Sequence, residues 1–449
     1  ARELTIHSPT RSVALIDAGN RLDQRKCPLI DGEGCARCNI CHIAYGVGGA
    51  GMYSDGKLSM FPAGSGLLKV LDNPFSIRKR NEYVVKTIID QINAQDALIT
   101  ADSNAPIIES AQRLALDVKC YDVFHVGTEG IQKFTANLEN ELEQKGVTIF
   151  RRTIVDDIDK FEKTYVCSIR DLRGHISRLT SHYIVMASGK ASGVFLRRVL
   201  KKFDVKYSAN PIELGVRVEC SKDCIKELSS TLKDAKIKST FGDVEARTFC
   251  LCYGGYIVNC FYDRFLRDER LCTLSGFSYR DKKSSSSNFG ILVRLQFPDN
   301  VDPIETQLSL VQAINKASGH GGAVVQRYQD FVAGLASTPE SIGKGSFPPT
   351  LKEATPVNLR WLLPEYVTTA VSEFLKELGN ICPGLTNDDT LLYAPVWEYT
   401  WDRVEVSRGL RTSLPGFYVA GDAMGWARGI VQAATTGVVT AESILEELH

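Results

Sequence analysis

Leu414-Pro415-Gly416-Phe417-Tyr418-Val419-Ala420-Gly421-Asp422-Ala423 is the stretch on which the fold turns. The run Gly416 to Ala420 reads as a buried strand, Gly421 turns the chain, and Asp422 stands where a helix begins. A carboxylate at a parallel-strand end accepts well from a ribityl hydroxyl, and the free N–H groups of the next helix face a phosphate or a flavin carbonyl. The same pattern also fits a plain turn in which Asp422 caps the helix. Gly425, Gly429 and Gly437 favour the first reading, because they let backbone approach a flat ring closely.

Working backward, Tyr183-Ile184-Val185-Met186-Ala187 predicts another buried strand, which ends at Ser188-Gly189. Val123 to Thr128 opens a strand-to-helix segment whose helix carries Leu138 and Leu142, followed by a strand at Val147 to Phe150. Alternating residues from Thr153 to Ile176 predict a three-stranded meander. Near the start, Ser12 to Ala18 reads as a strand ending in Asp17 and Gly19, either a ribose-binding acid or a solvated strand end. Interleaved strands, helix and meander of this kind build a three-layer nucleotide-binding domain. Residues 210–300 are strand-rich, 303–380 return to helical patterns, and Asp281 to Asn288 reads as an exposed loop.

The chain of 449 residues is 44% hydrophobic and 24% charged, which suits large globular cores and excludes disorder. Fifty-three basic residues balance 53 acidic ones, so no bulk field draws the chain to nucleic acid. No apolar run is long enough for a transmembrane segment and no signal segment opens the chain, which predicts a cytoplasmic protein. Thirteen cysteines there argue for thiols, metal ligands or redox chemistry rather than a disulfide scaffold.

Leu414 to Ala423, continued by Arg428-Gly429-Ile430-Val431-Gln432-Ala433-Ala434, closely resembles the C-terminal FAD motif of glutathione-reductase-type flavoproteins. Ile184 to Gly189 resembles their internal strand-turn motif. The match extends to a poorly characterised group of FAD-dependent dehydrogenases distantly related to archaeal geranylgeranyl reductases. Its signatures stand here as Gly46 to Leu58, Asn210 to Arg217 and Arg247 to Tyr256. The resemblance implies an α/β fold: a glutathione-reductase-type three-layer FAD-binding domain with an interleaved β-rich substrate domain. Residues 1–58, 119–204 and 390–449 would form the first, and 59–118 and 205–389 the second. The group's first strand and Gly-x-Gly-x-x-Gly loop are not in the sequence. The position of Asp17 predicts that they precede Ala1 in a chain trimmed upstream.

The expected FAD contacts are Asp17, Gly48, Gly49, Ala50, Gly51, Ser54, Asp55, Val155, Ser188, Gly189, Gly421, Asp422, Ala423, Gly429, Ile430 and Gln432. The glycines from 46 to 51 form either a phosphate-cradling nest or a flexible turn; the resemblance places them on the flavin side. Lys57 beside the ring would stabilise negative charge on it, or else pair with Asp55 at the surface. Cys250 and Cys252, two apart on a strand, share a face by alternation and serve either as a catalytic dithiol or as small core residues. Cys35, Cys38 and Cys41 at two-residue gaps, with Cys27, suggest an iron–sulfur cluster, zinc or a cysteine-rich loop without metal. Tyr399, Trp401 and Arg403 either border a substrate pocket or pack in the core.

The expected function is FAD-dependent oxidoreduction of a small molecule by hydride transfer, with NAD(P)H or an electron-donor protein as partner. Two other readings stay open: a flavin and iron–sulfur electron-transfer subunit, and a structural remnant without its nucleotide loop.

Overall fold

The computed structural model describes residues 1–71, 73–262, 270–298, 300–398 and 402–448. Tyr399 and Trp401 therefore lie outside the described residues.

Two short parallel pairs carry the segments singled out above. Ala14–Ile16 runs beside Thr148–Phe150, and Ile184–Met186 runs beside Phe417–Val419. Each pairing extends one bond further: Asp17 N donates to Phe150 O at 2.8 Å and Ala420 N to Met186 O at 2.9 Å. Asp17, Ser188-Gly189 and Gly421-Asp422 thus stand at carboxyl ends of parallel strands, where open α/β sheets bind ligands. The expected meander is present as Thr153–Phe161, Thr164–Asp171 and Ile176–Ser181, all antiparallel. Tyr165 of its middle strand donates to Pro415 O at 2.6 Å and so fixes the entry to Phe417–Val419.

Helix Pro74–Ile92 begins where the Asn73 side chain accepts from Phe75 N and Ser76 N, with Pro74 preset for the first turn. Val84, Val85, Ile88, Ile89 and Ile92 form its buried stripe. That stripe shares a core with Leu58, Ile131 and Val431 of the C-terminal helix Ile430–Leu448. A buried hydrogen bond from Thr435 Oγ1 to Asn81 Oδ1 at 2.7 Å sets the register of the two helices. Much of 59–118 thus packs against the C-terminal helix, while Asp117–Lys119 is an edge strand of the large sheet.

That large sheet has eight strands, ordered Thr355–Pro356, Val324–Arg327, Leu391–Glu398, Glu213–Ser221, Ser286–Arg294, Val244–Cys252, Lys236–Phe241 and Asp117–Lys119. Leu391–Glu398 is thus an inner strand of the β-rich part, although it falls in the 390–449 segment. Helix Glu365–Ile381 packs against Glu213–Ser221, Val244–Cys252 and Ser286–Arg294. Ser286, Ser287 and Asn288 are buried at the head of a strand rather than in the expected exposed loop, because they pair with Glu219 to Ser221. Among the described residues, no helix is long and apolar enough to cross a membrane.

Candidate functional site

A cavity of about 2430 Å³ joins the parallel-strand ends to the β-rich part. Among the expected residues, Asp17, Gly48, Gly49, Ala50, Gly51, Ser54, Val155, Ser188, Gly189, Cys250, Gly421, Asp422, Gly429 and Ile430 line it. Asp55, Lys57, Cys252, Ala423, Gln432 and the cysteines 27, 35, 38 and 41 do not. Ala423 is fully buried, and the Gln432 amide is spent on Ser59 O at 3.1 Å and Ala63 O at 3.2 Å.

The glycine loop is a fixed structure rather than a flexible turn. Gly46 and Gly48 have φ of 111° and 90°, backbone that an L side chain rarely adopts. The Arg25 guanidinium is buried beneath them. It donates to His42 O at 2.7 Å, Val47 O at 2.6 Å and Gly49 O at 2.9 Å, with Gly46 O at 3.2 Å. One delocalised cation thus turns a row of loop carbonyls inward, which leaves the loop's other face to the cavity. A β-carbon at Gly51 would lie 3.6 Å from Ile430, so loop and C-terminal helix already meet at ordinary contact.

Opposite the loop, Gly421 sits at φ 68° and places Asp422 beside the start of helix Ile430–Leu448. Burial pushes the Asp422 carboxyl up to about 6 against the pull of Lys190. Lys190 follows the Ser188-Gly189 turn and forms an ion pair with Glu398. Although burial opposes its charge, Glu398 and Asp422 hold the Lys190 ammonium above its ordinary range. Arg428 Nη1 lies 3.2 Å from Glu213, which also takes two bonds from Arg247. Asp17 accepts from Gly19 N at 2.7 Å, and burial raises its carboxyl despite that bond.

Behind the cavity wall lies a buried polar cluster. Lys57 does pair with Asp55, Nζ to Oδ2 at 2.8 Å, but both side chains are only 6% exposed, so this is no surface pair. Lys57 also donates to Leu251 O and lies 3.8 Å from Asp234. Although burial opposes it, those two carboxylates hold the lysine charged. Cys250 and Cys252 come together, but not through strand alternation. A bulge interrupts the pairing with Ser286–Arg294, and Cys250 takes the left-handed φ of 47°. Cys250 thereby faces the cavity, while Cys252 stays fully buried with Sγ 3.6 Å from Asp55 Oδ2. A hydrogen bond from Cys252 holds the Cys250 thiol below its ordinary range, and burial pushes Cys252 up.

The metal expectation gains no support. Among the described residues, the group of three ligand-type side chains within 4.8 Å of one another is Asp55, Cys250 and Cys252. The loop from 27 to 42 is instead anchored piece by piece. Cys35 N donates to Glu353 at 2.9 Å, Cys41 Sγ accepts from Phe261 N at 3.4 Å, and the His42 ring lies between Asn20 and Lys26 O. Arg403 stacks 5.1 Å over Trp426 and does not line the cavity.

Sequence reasoning missed Arg25, Lys190, Arg217 and Glu398. Arg217 and Glu398 stood in readable strands, where a charged residue in an otherwise buried run is itself the signal. Arg25 and Lys190 carried none, since each acts on segments distant in sequence or through a turn.

Residues 211–396 match the family described as FAD-dependent protein, C-terminal domain-like. Over 432 residues the chain is 23% identical to an uncharacterised protein of Clostridium beijerinckii, covering 90% of this chain and 71% of that one. Among solved structures it is similar to a flavoprotein/dehydrogenase from Cytophaga hutchinsonii, with 11% identity, TM-score 0.30, and 76% of this chain and 65% of that chain covered. It is also similar to CmlS, a flavin-dependent halogenase, with 13% identity, TM-score 0.41, and coverage of 98% and 55%. A third is the tetracycline destructase Tet(51), with 11% identity, TM-score 0.36, and coverage of 98% and 81%. The chain thus spans 65% and 55% of the first two of these structures, and a strand-rich part matching an FAD-dependent family sits beside the cavity described above.

Proposed function

We propose that the chain is an FAD-dependent oxidoreductase that acts on a small molecule by hydride transfer. The observation that carries this reading is the single cavity that runs from Asp17, past the Gly46 to Gly51 loop, to Asp422 at a helix start. The residues present fit an elongated cofactor with a flat ring. Glycines of positive φ bring backbone to the wall, and carboxylates stand near both ends to accept hydroxyls. Asp17 would take the ribose, Gly48 and Gly49 the phosphate region, and Asp422 with the N–H groups at Ile430 the ribityl and ring end. Bound there, FAD would supply two-electron chemistry.

The chain's own groups would do the rest. Lys190, held charged between Glu398 and Asp422, places positive potential at the ring end. Cys250, the cavity-facing thiol, is the proposed proton-accepting group, with Cys252 and Lys57 behind it as its support. The Arg25 scaffold holds the loop in its shape along the cavity. A glutathione-reductase-type arrangement, with FAD-binding and substrate parts divided as expected from the motifs, is part of the same proposal. So is NAD(P)H or a protein as electron donor. The reading with an iron–sulfur cluster has no support of its own: the cysteines 27, 35, 38 and 41 are not among the described ligand-type groups within 4.8 Å of one another. A cytoplasmic setting, expected from thirteen cysteines read as thiols, is part of the same proposal. The test is the flavin released on heating the purified full-length protein. About one FAD per chain supports the proposal, and none refutes it.

A further inference from the structure

Strands Tyr256–Tyr262 and Leu271–Phe277 pair antiparallel, and alternation puts Cys260, Tyr262, Thr273 and Ser275 on one face. All four line the cavity. Thr273 Oγ1 accepts from Trp397 N at 3.3 Å and donates to Pro395 O at 3.5 Å. The Cys260 thiol is hydrogen-bonded to Cys41, and Ser275 stands opposite Val258, further down the strand. Tyr262 is 5% exposed, and its ring is fixed from two sides: Tyr45 lies 6.4 Å away at 76° and Trp397 5.2 Å away at 60°. Its hydroxyl has no hydrogen-bond partner among the described residues and is not enclosed by protein, so it opens on the cavity. Other buried tyrosines spend theirs: Tyr165 donates to Pro415 O at 2.6 Å, Tyr393 to Glu219 at 2.7 Å and Tyr418 to Glu447 at 2.6 Å.

Burial keeps the Tyr262 phenol protonated, and Cys260, Glu398, Tyr45 and Asp422 add to that. The reach of Glu398 and Asp422 also puts Tyr262 at the Lys190 end of the cavity, where Lys190 is already paired with Glu398. A buried donor left unpaired is costly, so a ligand that supplies an acceptor there gains by it. The surroundings decide which acceptor. Two carboxylates disfavour an anionic oxygen, and Phe249, Leu274, Val396 and Trp397 give the same cavity an apolar wall. A neutral carbonyl oxygen on an apolar body meets both conditions. A phenol also suits both ends of a hydride transfer, since it donates to a carbonyl and accepts from the alcohol.

We propose that Tyr262, its ring fixed by Tyr45 and Trp397, is the hydrogen-bond donor that seats the carbonyl oxygen of an uncharged, apolar ketone or aldehyde substrate. This deepens the oxidoreductase reading and rests on the same cavity.

The test uses the purified full-length protein, with acetophenone and cyclohexanone as probes and α-methylstyrene and methylenecyclohexane as isosteres without the oxygen. Binding is read by calorimetric titration, the bound carbonyl stretch by infrared difference spectroscopy, and FAD is measured in the same samples. Tyr262→Phe keeps the ring between Tyr45 and Trp397 and removes only the hydroxyl. The proposal predicts that this variant binds each ketone roughly fivefold or more weakly than wild type, with affinity for the matching alkene unchanged. It also predicts that the carbonyl stretch of bound acetophenone moves to lower frequency in wild type and that this shift is lost in the variant. Absence of ketone binding in folded wild-type protein, equal effects on ketone and alkene, or a carbonyl stretch indifferent to the variant overturns the proposal. Any of these in FAD-loaded protein leaves the oxidoreductase reading standing. Ketone binding with a Tyr262-dependent carbonyl shift in protein that holds no FAD upholds the Tyr262 seat while the flavin reading fails.

Discussion

The Arg25 guanidinium donates to Val47 O at 2.6 Å, and this bond, with those to His42 and Gly49, gives the cavity loop its shape. Arg25 is 2% exposed, so water cannot replace it. Arg25→Met should leave several buried carbonyls unpaired and cost about 3 to 5 kcal/mol. Urea unfolding of the full-length protein measures that loss. Arg25→Lys should recover little, because a point charge cannot fork across the carbonyls.

Cys250 and Cys252 should separate by variant. Cys252 is buried at the junction of Asp55 and Arg217, so Cys252→Ser should cost about 1 to 2 kcal/mol of stability. Cys250→Ser, at the cavity wall, should lower turnover with bound FAD retained. Urea unfolding checks the first and stopped-flow reoxidation normalised to FAD content the second, and wild-type rates in Cys250→Ser would return that thiol to a packing role.

Two buried groups should shape the pH profile of the unliganded protein with opposite signs. Asp422 is raised to about 6 in the folded state, so its contribution is fully present below about pH 4 and is lost as pH rises through about 6. Asp422→Asn should flatten that slope, by on the order of 2 kcal/mol or less after solvent screening. His125 is buried and neutral, with burial as the main cause and Lys233 and Lys57 adding to it, and it is depressed to about 2. The unfolded chain therefore binds the extra proton, and stability falls as pH drops below about 6.5. His125→Asn should remove that loss, as read from urea midpoints between pH 5 and pH 8.

How much of this was legible in the sequence depended on the distance over which each feature is built. The strand at Phe417–Val419 and the acid after it were local, set by an apolar run and a glycine turn, and the reading survives in the structure. The meander was equally local. The proximity of Cys250 to Cys252 was read, but for a reason that fails: the bulge, not alternation, turns Cys250 toward the cavity. Spacing suggested a shared centre for Cys35, Cys38 and Cys41. The loop is held by Glu353 and Phe261, both distant in sequence, which no local spacing could announce. Lys57 was placed near the ring by its neighbours in sequence, whereas Asp234 and Leu251, nearly two hundred residues away, hold it behind the wall. Arg25 was invisible, because its partners are carbonyls, which every sequence has.

Titration of flavin-stripped full-length protein with FAD, followed by quenching of flavin fluorescence, tests the central claim most directly. The account predicts saturable binding at one site per chain. Asp422→Ala should weaken it by about 1.5 to 3 kcal/mol, roughly tenfold to more than a hundredfold, through loss of one charge-assisted hydrogen bond. Absence of saturable binding, or an affinity unchanged in Asp422→Ala, would contradict it.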